Sequence, residues 1–68
     1  MNKVIGKTSA FFAAEDTVIS VKLPGNPSSI RVVKFDKKSR RVEDKIQDVG
    51  EIFQTDLPKY WLLIVESR

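Results

Sequence analysis

Apolar and polar residues alternate with a period of two along several short stretches of this chain, the spacing of an extended strand whose successive side chains point to opposite faces. From Thr17 to Leu23, Val18, Ser20 and Lys22 fall on one side and Ile19, Val21 and Leu23 on the other, so the Ile19 side is expected inward. Ile30 to Phe35 is rich in β-branched residues and sets Ile30, Val32 and Lys34 against Arg31, Val33 and Phe35. Tyr60 to Val65 is apolar on both sides, which places it at the centre of a sheet or puts one of its faces against a partner. Lys3 to Phe12 predicts a further strand, joined to Thr17–Leu23 as a hairpin around residues 13–16. Ser9 to Ala14 behind Thr8 also suits a single helical turn.

Punctuation between these runs is clear. Pro24-Gly25-Asn26-Pro27-Ser28-Ser29 combines fixed φ values, a glycine and locally bonding side chains, and reads as a loop. Asp36-Lys37-Lys38-Ser39 supplies a polar turn, and Thr55-Asp56-Leu57-Pro58 ends whatever precedes it. Residues 40–54 are ambiguous. A strand over 40–46 places the carboxylate of Asp44 between Val42 and Ile46 on one face. A helix places Val42, Ile46, Val49 and Phe53 at i, i+4, i+7 and i+11, an amphipathic stripe that Gly50 weakens by about 1 kcal/mol. The pattern is best met by a hairpin strand to about Lys45 and a short helical or irregular segment over 46–54.

The expected fold is therefore mostly β: about five antiparallel strands curled into a small, partly open barrel or sandwich with one short helix near 46–54. The alternative is an α+β domain with a full helix over 40–53 on one sheet face. With 68 residues the chain is expected to form one small domain, 1–68. Ordering it costs on the order of 100 kcal/mol at roughly 1.5 kcal/mol per residue. A core this small offsets that with little margin, and the absence of cysteine and histidine removes disulfides and the usual zinc ligands as aids. Self-association or docking on a partner is the remaining one, and a homodimer through residues 60–65 is one expectation.

No apolar run approaches the roughly 20 residues that cross a bilayer, and the first residues lack the apolar core of a secretory signal. A cytoplasmic protein without membrane partners is expected. Gly6-Lys7-Thr8 resembles the end of a phosphate-binding loop but lacks the earlier glycine, since Met1 stands five positions before Gly6. Glu43, Asp44, Asp48 and Glu51 lack the spacing of a calcium loop and read as a solvated face. Without histidine or cysteine the commonest catalytic bases and nucleophiles are missing, so no enzyme activity, catalytic residue, metal or cofactor is expected.

Charge changes the picture more than composition does. The formal net charge is only +3, yet six cations against Asp36 leave +5 over residues 31–41, and five carboxylates against Lys45 leave −4 over residues 43–56. The cations Arg31, Lys34, Lys37, Lys38, Arg40 and Arg41 crowd one hairpin tip, where long side chains can meet successive phosphates of DNA or RNA. Phe35, Tyr60 and Trp61 are candidate stacking platforms beside them. The expected function is a small nucleic-acid-binding module. The alternative is an interaction protein or accessory subunit that grips an acidic protein surface or a second copy of itself.

Overall fold

The structure is a computed structural model that describes the backbone of residues 2–4 and all of residues 8–23, 29–48 and 50–67. Within them the chain forms β1 (Asn2–Val4), β2 (Thr8–Phe12), β3 (Thr17–Lys22), β4 (Ser29–Phe35), β5 (Arg41–Asp48), β6 (Ile52–Leu57) and β7 (Leu62–Ser67). Four strands pair antiparallel in the order β2-β7-β4-β5, and three in the order β1-β3-β6, with β1 parallel to β3.

Period-two alternation builds the space between the sheets. Ile30 and Val32 of β4 and Leu63 and Val65 of β7 face Val21 of β3 and Phe53 and Leu57 of β6 in one buried cluster closed by Ala13 and Leu23. Each such side chain, fully buried, contributes roughly 1.5–3 kcal/mol. The polar partners of the alternation, such as Lys22, Gln54 and Asp56, stay exposed.

The mostly-β class is as expected, but the finer expectations change. No barrel closes, because no described strand is shared between the sheets; they face one another as a sandwich. The expected hairpin over residues 3–23 does not form either. That stretch is split into β1, β2 and β3; β2 pairs with β7 while β3 pairs with β6, so residues 13–16 carry the chain from one sheet to the other. Neither the helix over 46–54 nor the longer one over 40–53 exists. β5 runs to Asp48, and β6 begins at Ile52. The apolar stripe that suggested a helix is divided: Val42 and Ile46 are exposed on β5, whereas Phe53 is buried on β6 in the opposite sheet. Val49, residues 24–28 of the expected loop, and Gly6 and Lys7 lie outside the described residues. The hairpin of β4 and β5 about residues 36–40 and the C-terminal strand form as the pattern implies, and β7 is central, with β2 on one side and β4 on the other.

Among the described residues one buried position is polar. Lys34 follows Ile30 and Val32 on the inner face of β4 and is 8% exposed. Its ammonium crosses to β6, where it donates to Thr55 Oγ1 at 2.7 Å and to the Asp56 carbonyl at 2.9 Å. Glu43, directly opposite on β5, brings a carboxylate oxygen within 4.0 Å. A buried ammonium is tolerated only where hydrogen bonds replace its water, and these supply that replacement.

Lys34→Ala removes the packed stem and strands two acceptors, and is expected to cost about 2–4 kcal/mol in a denaturant titration. Lys34→Met keeps the stem and is expected to cost clearly less. Equal losses in the two variants would show that the stem contributes nothing.

Candidate functional site

The turn after β4 is built by one carboxylate. Asp36 accepts the backbone N–H of Lys38 at 2.9 Å and of Arg40 at 3.0 Å, and its second oxygen accepts Arg40 Nε at 2.9 Å. The Ser39 N–H donates to the Asp36 carbonyl, and Ser39 itself sits at φ 62°. This is the arrangement of a tight turn followed by a left-handed residue, which joins strands without splaying them.

The fold sorts the six cations expected to meet phosphate into different environments. Because β5 runs back antiparallel to β4, the acidic block that follows the basic one in sequence lies beside it in space. Arg31 makes a two-pronged contact with Asp44, at 3.0 and 2.9 Å, on the outer face of the sheet. Arg41 Nη1 reaches the same carboxylate at 3.4 Å, and Arg40 is bound to Asp36. Lys34 is buried between the sheets and is not on the surface at all. Lys37 and Lys38, both exposed, form no ion pair with the described residues. The expected acidic cluster is likewise divided, with Glu43 turned toward Lys34 and Lys45 and Asp44 toward the arginines. Among the described residues no group of carboxylates is placed to hold a metal ion.

Aromatic side chains complete the surface at this end. Phe12, Leu62, Phe35 and Arg41 form one rung across β2, β7, β4 and β5. Residues directly opposite share a face, so all four lie on the outer side of the sheet. Phe12 is 64% exposed and stacks on Tyr60, with ring centroids 6.3 Å apart and planes 17° from parallel. Phe12, Tyr60, Leu62, Phe35 and Lys37, together with Asp36 and Ser39, line an open hollow of about 410 Å³, within the range of small-ligand pockets. Lys59 Nζ lies 4.8 Å from the Tyr60 ring centroid, over its face. Trp61, the third candidate platform, is half-buried and packs against the core. Phe12 cannot be singled out from sequence, because the pair Phe11-Phe12 gives no sign of which ring faces out until the register with β7 is known.

The backbone at Tyr60 is strained. Trp61 N–H donates to the Pro58 carbonyl, closing a turn with Lys59 and Tyr60 at its centre, and Tyr60 has φ 67°. That third turn position calls for glycine or asparagine, and a bulky residue there costs roughly 1–2 kcal/mol. Its stack on Phe12 returns about 0.5–1.5 kcal/mol. The turn is held by the Asp16 carboxylate, which accepts the Lys59 N–H at 2.7 Å, and by the Tyr60 N–H bound to the Ala13 carbonyl. An exposed aromatic thus occupies a position where glycine would serve the fold at least as well.

No family model, curated protein or solved structure matches this chain.

The backbone N–H of Arg40 holds the Asp36 carboxyl below the ordinary aspartate range, and the Arg31 guanidinium does the same for Asp44. Both groups bind protons more weakly folded than unfolded, so their stabilisation is complete above about pH 4 and is lost as pH falls through the lower folded values. Melting temperature is expected to hold between roughly pH 4 and 7 and to drop below that, with a shallower drop in Asp44→Asn. Parallel acid curves for the two proteins would remove Asp44 from this account.

Proposed function

We propose that this chain is a small, non-catalytic module that binds single-stranded nucleic acid at the aromatic end of its four-stranded sheet. An unpaired base enters the hollow between Phe35 and the Phe12–Tyr60 stack, and Lys37, Lys38 and Lys59 meet the flanking phosphates. The observation that carries the reading is Tyr60: an exposed ring kept at a left-handed turn position, next to cations that the fold leaves without carboxylate partners. Strain retained where the fold gains nothing from it is characteristic of binding and catalytic positions. Stacking on an aromatic ring contributes about 1–3 kcal/mol per base and tolerates any base, so little sequence preference is expected. Compared with the set read from sequence, Lys37 and Lys38 keep their role, Arg40 and Arg41 line the approach while bound to Asp36 and Asp44, and Arg31 and Lys34 serve the fold.

A second reading has a specific observation behind it. Phe12, Val42 and Ile46 are exposed on β2 and β5, and outward Leu62 and Ile64 lie between those strands, apolar positions that suit protein docking although the Arg31–Asp44–Arg41 group interrupts them on the same face. A partner strand cannot add to β7, whose two edges are already paired, so a contact at residues 60–65 would have to use that outer face.

Binding of a short single-stranded oligonucleotide, followed by fluorescence anisotropy, is expected to weaken steeply with salt. The slope should fall by roughly 0.7 for each phosphate left without its cation, in Lys37→Ala and again in Lys38→Ala. Tyr60→Gly is expected to leave stability unchanged or raise it by up to about 1 kcal/mol. It should weaken binding about tenfold or more. Absence of binding by the native protein at low salt would reject the nucleic-acid reading and leave the docking one.

A further inference from the structure

We infer that two copies of this chain associate through the free edge of β2, joining their four-stranded sheets into one continuous sheet of eight strands. The inference does not rest on what the hollow binds, although Phe12 belongs to both surfaces.

The four outer strands of the two sheets are β2, β5, β1 and β6. Strands at a sheet edge expose unpaired N–H and C=O groups, and proteins ordinarily block them with charge, proline or brevity. β5 carries Arg41, Glu43, Asp44, Lys45 and Asp48; β6 carries Asp56; β1 is three residues long and includes Lys3. β2 reads Thr8-Ser9-Ala10-Phe11-Phe12 and contains no charged residue, proline or glycine. It is the one edge among the described strands with no such block.

Its backbone is also oriented for the purpose. The N–H and C=O of Ala13 are bonded to the segment leading into β7. Both backbone groups of a strand residue point the same way and neighbours point oppositely. Phe11 and Ser9 therefore face β7, and Thr8, Ala10 and Phe12 present their backbone groups outward.

A twofold axis at Ala10 uses the whole strand: Ala10 faces Ala10 of the second copy, and Thr8 faces Phe12. The smallest side chain then lies on the axis, where identical residues meet, and each exposed Phe12 packs across the threonine of its neighbour on the outer face. No charged side chain takes part in this pairing, whereas every pairing through β5 includes several. A five-residue edge falls short of the roughly 1,600 Å² that standard stable interfaces bury, so the association is weak and is populated at high concentration.

Engineered cysteine tests the register directly, because the chain has none of its own. A hydrogen-bonded antiparallel pair holds its Cα atoms about 5.5 Å apart, within disulfide range. Under mild oxidation Ala10→Cys is expected to form a disulfide-linked dimer rapidly. Val18→Cys, exposed on β3 of the other sheet, is expected to do so at only the slow background rate. Sedimentation equilibrium of the native chain should show a mass rising toward the dimer as concentration approaches about 1 mM, a range that detects even weak association. Ala10→Lys, at an exposed position, should keep the β-sheet circular dichroism and remain monomeric. Equal crosslinking of the two cysteine variants, a strict monomer up to that concentration, or undiminished association of Ala10→Lys would each overturn the inference. Oligonucleotide binding by Ala10→Lys reads the hollow separately, since the substitution lies outside it.

Discussion

The buried ammonium of Lys34 is where the two sheets are tied by polar bonds as well as by apolar contact. Hydrophobic packing resists sliding of one sheet over the other only weakly, because many registers bury similar area. A charge that must find Thr55 Oγ1 and the Asp56 carbonyl admits one arrangement, since misplacing it leaves an ammonium without hydrogen bonds in a dry space. The contact also fixes which face of β4 turns inward and so which face carries Arg31, Val33 and Phe35. Everything on the outer surface of the large sheet follows from that choice.

The same choice redistributes charge. In sequence the chain has a basic block followed by an acidic one. Folding the hairpin at residues 36–40 lays the second block against the first, so that Arg31 meets Asp44 and Lys34 meets Glu43 across adjacent strands. Among the described residues, the cations left without a carboxylate partner are Lys37 and Lys38 at the tip and Lys59 on a turn distant in sequence. Three cations beside exposed rings suit a ligand of moderate charge and unpaired bases better than a long duplex, whose binding needs a longer basic track. The strain at Tyr60 and its stack on Phe12 belong to this end of the molecule.

Several elements are legible from local pattern. Alternation identifies β3, β4 and the C-terminal strand, and the Asp36-Lys37-Lys38-Ser39 turn signal identifies the hairpin of β4 and β5. Two readings fail for a shared reason. The apolar spacing of Val42, Ile46, Val49 and Phe53 matches a helix, yet Val42 and Ile46 belong to one strand and Phe53 to another in the opposite sheet. The hairpin expected over residues 3–23 fails because a short polar connection between strands can return the chain along its neighbour or carry it across to the other sheet. Sequence spacing records neither outcome. Among the site residues, Lys37 and Lys38 keep the exposure their turn implies. Lys34 does not, because a lysine within an alternating run is read as solvated until a specific acceptor is found for it.

The sequence by itself determined the mostly-β class, the tight turn at Asp36 and the crowding of cations on it, because these depend on steric preferences and hydrogen bonds within a few residues. Only the tertiary structure decided which strands share a sheet, that Lys34 is interior, that Phe12 meets Tyr60, and that β2 is the outermost described strand beside β7. Those outcomes rest on contacts between residues far apart in the chain, whose free energies are comparable among competing arrangements until the core and the buried Lys34 are satisfied together.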